Sequence, residues 1–132
     1  MAAAIGGLTD DQLSVPSLDG WPAKDHLQHL ALWDEARVGE VARISAGHDS
    51  AFAMSEEQDL VYNDLGYELR RELSAAQARW EWAESLRRLL DAIAAATERG
   101  LDESLYGEAG LLSVHQSEHA GWIRAWRERE GI

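Results

Sequence analysis

Gly20-Trp21-Pro22-Ala23-Lys24-Asp25-His26-Leu27-Gln28-His29-Leu30-Ala31-Leu32-Trp33-Asp34 reads as a loop running into a helix. Pro22 suits the first helical position, where its missing N–H would be unpaired in any case. The spacing predicts a helix over 22–45, with a loop before it at 16–20 and another after it at 46–50. Leu27, Leu30, Val38 and Val41 lie on one side of that helix, His29, Trp33 and Ala36 on another. The chain's only prolines are Pro16 and Pro22, and the remainder is rich in Ala, Leu, Glu and Arg. Those are strong helix formers, and the alternating pattern of a strand is absent. The expected class is all-α.

Outward from that run, Thr9 and Gln12 have capping-box spacing and predict a short turn over 9–13. Ser55, followed by Glu56 and Glu57, predicts the start of a helix carrying Leu60, Val61, Leu65 and Leu69. Ser74 and Gln77 repeat the capping-box spacing, so one helix should end near Leu73 and another begin there. The latter is expected to reach Arg99, with Gly100 as its stop, and to carry Ala78, Trp82, Leu86, Leu89, Leu90 and Ile93. Residues 101–110 form a connection, and a last helix is expected over 111–130.

With 132 residues, 45% of them hydrophobic, the chain suffices for one domain, residues 1–132, with its own core. It has no cysteine, which removes disulfide scaffolds, thiolate nucleophiles and cysteine-based zinc sites. The apolar start MAAAIGG lacks a basic flank, so it does not read as a secretion signal, and the expected compartment is the cytoplasm. No run approaches the roughly 18 apolar residues of a membrane span. The formal charge of −12, from 24 acidic and 12 basic side chains, disfavours nucleic acid and anionic membrane as partners. Arg87 and Arg88 occupy one helical turn and read as a solvated face.

The histidines carry the chemistry. His115 and His119 are four residues apart, about 40° around a helix and one turn along it, so both imidazoles can converge on one ion. Trp122, Ile123 and Trp126 continue their stripe, which should face inward. Buried imidazoles need partners, and hydrogen-bonded core histidines are the plain alternative to a metal. Residues 115–119 also read H-x-x-E-H, an inverted zincin pattern. That class needs a further carboxylate well downstream, and only thirteen residues follow His119. Glu118 is instead expected beside the site or in solvent. On spacing alone, either His26 or His29 could be the third ligand, while His48 falls in a loop.

The run 20–34 resembles the DinB/YfiT-like superfamily of bacterial four-helix proteins: a Gly-Trp, a short spacer with an acidic residue, then a histidine before Leu-Ala and an aromatic. It aligns on His29 rather than His26. The C-terminal run His115-Gln116-Ser117-Glu118-His119-Ala120-Gly121-Trp122 is similar to the family's second motif. Residues 63–90 resemble its third-helix region, with a helix break at Ser74. The likeness covers about residues 8–128 and implies an antiparallel four-helix bundle whose N-terminal helix is reduced or missing.

The resemblance also implies a divalent ion, zinc, nickel or iron, held by His29, His115 and His119. Three imidazoles leave coordination positions open, as in catalytic sites. It further implies a metal-dependent transferase or hydrolase, with a low-molecular-weight thiol as cosubstrate and a small electrophilic molecule as substrate. The alternative is a non-catalytic, stress-responsive metal-binding or dimerisation module. Trp33, Trp122 and Trp126 are candidate pocket walls or core residues, and no general base is identifiable. Only eight residues precede Thr9. Without a full first helix the bundle should leave an apolar groove, which a second copy could cover, making a homodimer; residues 1–14 folding back would be the other way to fill it.

Overall fold

The structure, a computed structural model, describes residues 1–107, 110–111 and 114–132. Among these the chain is all-α: α1 (Ala2–Ile5), α2 (Asp10–Ser14), α3 (Ala23–Ser45), α4 (Glu56–Arg70), α5 (Ala75–Ala94) and α6 (His115–Glu130). Two 3-10 turns, Arg99–Leu101 and Glu103–Leu105, follow α5. None of these helices is long and apolar enough to cross a membrane.

The starts follow local chemistry. Thr9, Ser55 and Ser74 each accept from the backbone N–H three residues on, and Gln12, Gln58 and Gln77 each bond back to the cap's N–H. These are complete capping boxes, so first-turn N–H groups that a helix leaves orphaned are satisfied. Pro22 is the residue before α3 rather than its first, with its carbonyl accepting from the N–H groups of Asp25 and His26.

The ends differ from expectation. α5 stops at Ala94, and Gly100 is not a left-handed helix stop. Gly100 is glycine because of close approach: a Cβ there would fall 2.0 Å from Ser45 Oγ and 3.1 Å from Ala96 Cβ. α6 begins at His115, not at Leu111, whose side chain is buried beside Val41 and Leu89. Residues 112 and 113, part of the expected helix, lie outside the described residues.

α3 and α5 form the central pair, with α6 against α3. The main core draws Leu27 and Leu30 from α3, Ala78 and Trp82 from α5, and Ile123 and Trp126 from α6. The groove expected to stay open is filled by the N-terminal segment: Ala4, Ile5, Leu8 and Leu13 belong to that same core. Arg127 ties this segment down, donating to Ala4 O at 2.8 Å and Gly6 O at 2.9 Å, and Arg79 donates to Leu8 O. The reason given above for a homodimer, an uncovered groove, is thereby removed.

α4 is bound more lightly. Its only buried residue is Gly66, where a Cβ would meet Leu32 Cδ2 at 2.3 Å. Leu60, Val61, Leu65 and Leu69 are all more than half exposed. Leu90 of α5 is exposed too, whereas Ala78, Trp82 and Leu89 are buried as expected.

Leu13 tests the N-terminal segment, since its side chain is wholly buried. Leu13→Ala should cost about 2–5 kcal/mol, read as a lowered urea midpoint. A loss below about 0.5 kcal/mol, the range of surface substitutions, would show that this segment does not plug the groove.

Candidate metal centre

α3 offers His26 and His29, one turn apart, and α6 offers His115 and His119, also one turn apart. The helices meet with their sequences running oppositely, so His26 faces His119 and His29 faces His115. The Nδ1 atoms of His26 and His119 are 2.8 Å apart, and the Nε2 atoms of His29 and His115 are 2.9 Å apart. One nitrogen from each of His29, His115 and His119 lies within 4.8 Å of the other two. These are the three residues that the resemblance picks out, and His26 is outside that cluster while touching it.

A polar network just beyond the histidines sets the register of α6 on α3. Gln116 donates through Nε2 to Asp34 Oδ2 at 2.9 Å and accepts from Trp82 Nε1–H at 3.1 Å. Arg37 holds the other Asp34 oxygen at 3.3 Å and donates through Nε to Gly110 O. Asp34 and Arg37 are both buried. Burial pushes the Asp34 carboxyl up to about 6, with Arg37 and Gln116 working against it. The sequence reading missed this network. Its one visible signal was an Asp and an Arg three residues apart on a face that also carries apolar residues.

Electrostatics keep the cluster neutral. Burial first, then the neighbouring His115, His26 and Arg37, lowers His29 to about 3. Burial and Arg37 lower His115 to about 4. Burial and the other three rings lower His119 to about 2. Burial also lowers His26, partly offset by Asp19 and Asp25. A neutral imidazole keeps the lone pair that a divalent ion needs. Tetrahedral zinc at about 2.0–2.1 Å from each nitrogen needs those nitrogens about 3.3 Å apart, so the closest pair would open by a few tenths of an ångström. His115 Nδ1 is buried with no hydrogen-bond partner among the described residues, so this ring is poorly satisfied by protein alone. The donor set therefore fits a divalent ion.

The aromatic walls are not quite those expected. Trp122 is 48% exposed, with its ring 4.6 Å from that of His119. Trp21, which the sequence offered as part of a motif and not as a wall, lies 5.7 Å from His29 and 5.8 Å from His26, and stacks on Tyr67 at 5.2 Å. Its signal was its place next to Pro22, five residues before His26. Trp126 is core, and Trp33 is buried with its N–H on Asn63 Oδ1. Glu118 and His48 are exposed.

The shifted histidines set a pH dependence. Between about 6.5 and 4 the unfolded chain takes up protons that the folded rings refuse, so stability falls as pH falls. Asp34 acts oppositely between about 6 and 4, because the folded carboxyl holds its proton longer. Three rings outweigh one carboxyl. The urea midpoint of chelator-treated protein should therefore be lower at pH 5 than at pH 7.5; an equal or higher midpoint would contradict the burial of neutral rings.

Comparison with known proteins supplies the family. No curated protein and no solved structure matches the chain. The family model of the DinB superfamily matches residues 1–123, which takes in all four histidines of the α3–α6 interface. The chain belongs to the DinB superfamily.

Proposed function

We propose that His29, His115 and His119 hold one divalent ion, and that this single domain is a metal-dependent enzyme of the thiol S-transferase or hydrolase type. The observation behind the reading is the convergence of three neutral imidazoles from two helices beside a half-exposed aromatic wall. A bound ion would supply Lewis acidity, lowering the pKa of a thiol or water at an open position. The chain's own rings would hold that ion from one side, and Trp21 and Trp122 would flank an apolar substrate. Among the described residues the cluster contains no carboxylate. A nucleophile activated by a lowered pKa, such as a low-molecular-weight thiol, suits that better than one needing a protein base. The substrate class proposed is a small electrophilic molecule.

One observation favours the non-catalytic reading. The cavity beside His29, lined by residues that include Trp21, Gln28, Asn63 and Tyr67, holds about 10 Å³, room for one water. Soaking in zinc or nickel followed by desalting and element analysis should find about one ion per chain. His115→Ala and His119→Ala should lose most of it, and His48→Ala none. A wild-type protein that stays metal-free would end both readings. Given loading, turnover of 1-chloro-2,4-dinitrobenzene with a small thiol would separate the enzyme from the module.

For a homodimer we propose α4 as the contact. Val61, Leu65 and Leu69 form an exposed row at four-residue intervals. A second copy laid antiparallel on α4 would bury this row against its own counterpart. Light scattering should give about 29 kDa, twice 14.7 kDa, and Leu65→Glu should halve it. A wild-type monomer at micromolar concentration would rule this out.

A further inference from the structure

His26 is the histidine that the three-ligand set leaves out, yet it is wholly buried and more fully partnered than the rings it touches. Its Nε2 lies 3.3 Å from Asp19 Oδ1 and 3.3 Å from Ser17 Oγ. Its Nδ1 lies 2.8 Å from His119 Nδ1. Asp19 is not a chance neighbour. Its Oδ1 accepts from the Trp21 N–H at 3.1 Å and the Ser17 hydroxyl at 3.0 Å. The loop bearing it is closed by Ser17 N–H to Trp21 O at 2.9 Å and a bridge between Pro16 and Pro22.

The protons follow by elimination. A carboxylate oxygen only accepts, and the Ser17 hydroxyl spends its one proton on Asp19. Both partners of His26 Nε2 are therefore acceptors from its side, and Nε2 must carry the hydrogen. A neutral imidazole has one N–H, so Nδ1 of His26 is bare and can only accept. The proton in its short contact with His119 must then come from His119 Nδ1. That leaves Nε2 as the unprotonated nitrogen of His119.

We infer that Asp19 and His26 form a relay that sets the tautomer of His119, making His26 a positioning residue and not a ligand. Outer-shell partners of this kind orient a ligating imidazole and raise its basicity. The facing pair has no such device: His29 and His115 meet through their Nε2 atoms at 2.9 Å, and His115 Nδ1 is unpartnered among the described residues. The consequence for metal binding rests on the three-histidine reading proposed above, whereas the tautomer itself does not.

Two measurements test it. Long-range ¹H–¹⁵N spectra of metal-free protein should place the His119 proton on Nδ1, and in Asp19→Ala that preference should weaken. Zinc titration should show His26→Leu binding about 10–100-fold more weakly. His26→Asn should recover most of the loss, because its amide oxygen accepts the same bond near the position of Nδ1. A proton found on His119 Nε2 in the wild-type protein overturns the inference, as does zinc affinity in His26→Leu within twofold of wild type. Equal losses in the Leu and Asn variants would reduce His26 to packing and overturn it too. A wild-type chain that binds no zinc would defeat the metal reading alone, and the spectra would still decide the relay.

Discussion

Imidazoles buried between two helices are the constraint to which the rest of this structure answers. A ring taken out of water loses its hydrogen bonds and resists protonation, so each must find a partner or a ligand. Here the pairs His26–His119 and His29–His115 partner one another across the α3–α6 interface. Such pairing tolerates little sliding: moving α6 by one residue would turn its rings by about 100° and break both pairs. The buried Asp34, five residues beyond His29, is reached by Gln116, one residue beyond His115, and by Arg37 from α3. It holds the two helices at the register the histidines need.

The economy at the N-terminus serves the same interface. α6 is supported on its far side by α1, through Arg127 and the apolar contacts of Ala4 and Ile5. α2 closes the gap between α3 and α5 by burying Leu13. Two short helices thus do the covering that a full first helix would do. Neither could persist alone, because helices this short gain too little from their own hydrogen bonds; their stability is that of the core they join.

What could be read from the sequence was what local chemistry decides. The helix starts at Thr9, Ser55 and Ser74 were visible because a capping hydroxyl and its partner are three residues apart. The pairing of His115 with His119 was visible because four residues make one turn. Choosing His29 over His26 needed the resemblance, since both project from one face of α3. The end of α5 was misread because a glycine signals either a left-handed stop or a close approach, and only tertiary packing against Ser45 tells which. The start of α6 was misread for a related reason. Leu111 fits the apolar pattern, but its burial belongs to a non-helical segment packed beside Val41 and Leu89. The Asp34 network joins residues 82 apart in the chain, and the Asp19 contact and the wall at Trp21 depend on how the loop before α3 folds back; no helical spacing rule reaches them.

α6 begins at His115 with no side-chain cap, Val114 being unable to supply one. That placement has a consequence for the site. The first turn of a helix carries the positive end of its dipole, which opposes a charge on the His115 ring just as burial and Arg37 do. An Asp or Ser cap would steady the helix but would lessen that effect and add an acceptor near a ring whose Nδ1 has no partner among the described residues. The helix start is steadied from the side instead, by Gln116 on Asp34 and Trp82. The anchoring charge is thus kept one residue away from the imidazole, on a carboxylate already committed to Arg37. The three rings are left neutral, close together and short of hydrogen bonds, which is the state in which a cation gains most by joining them.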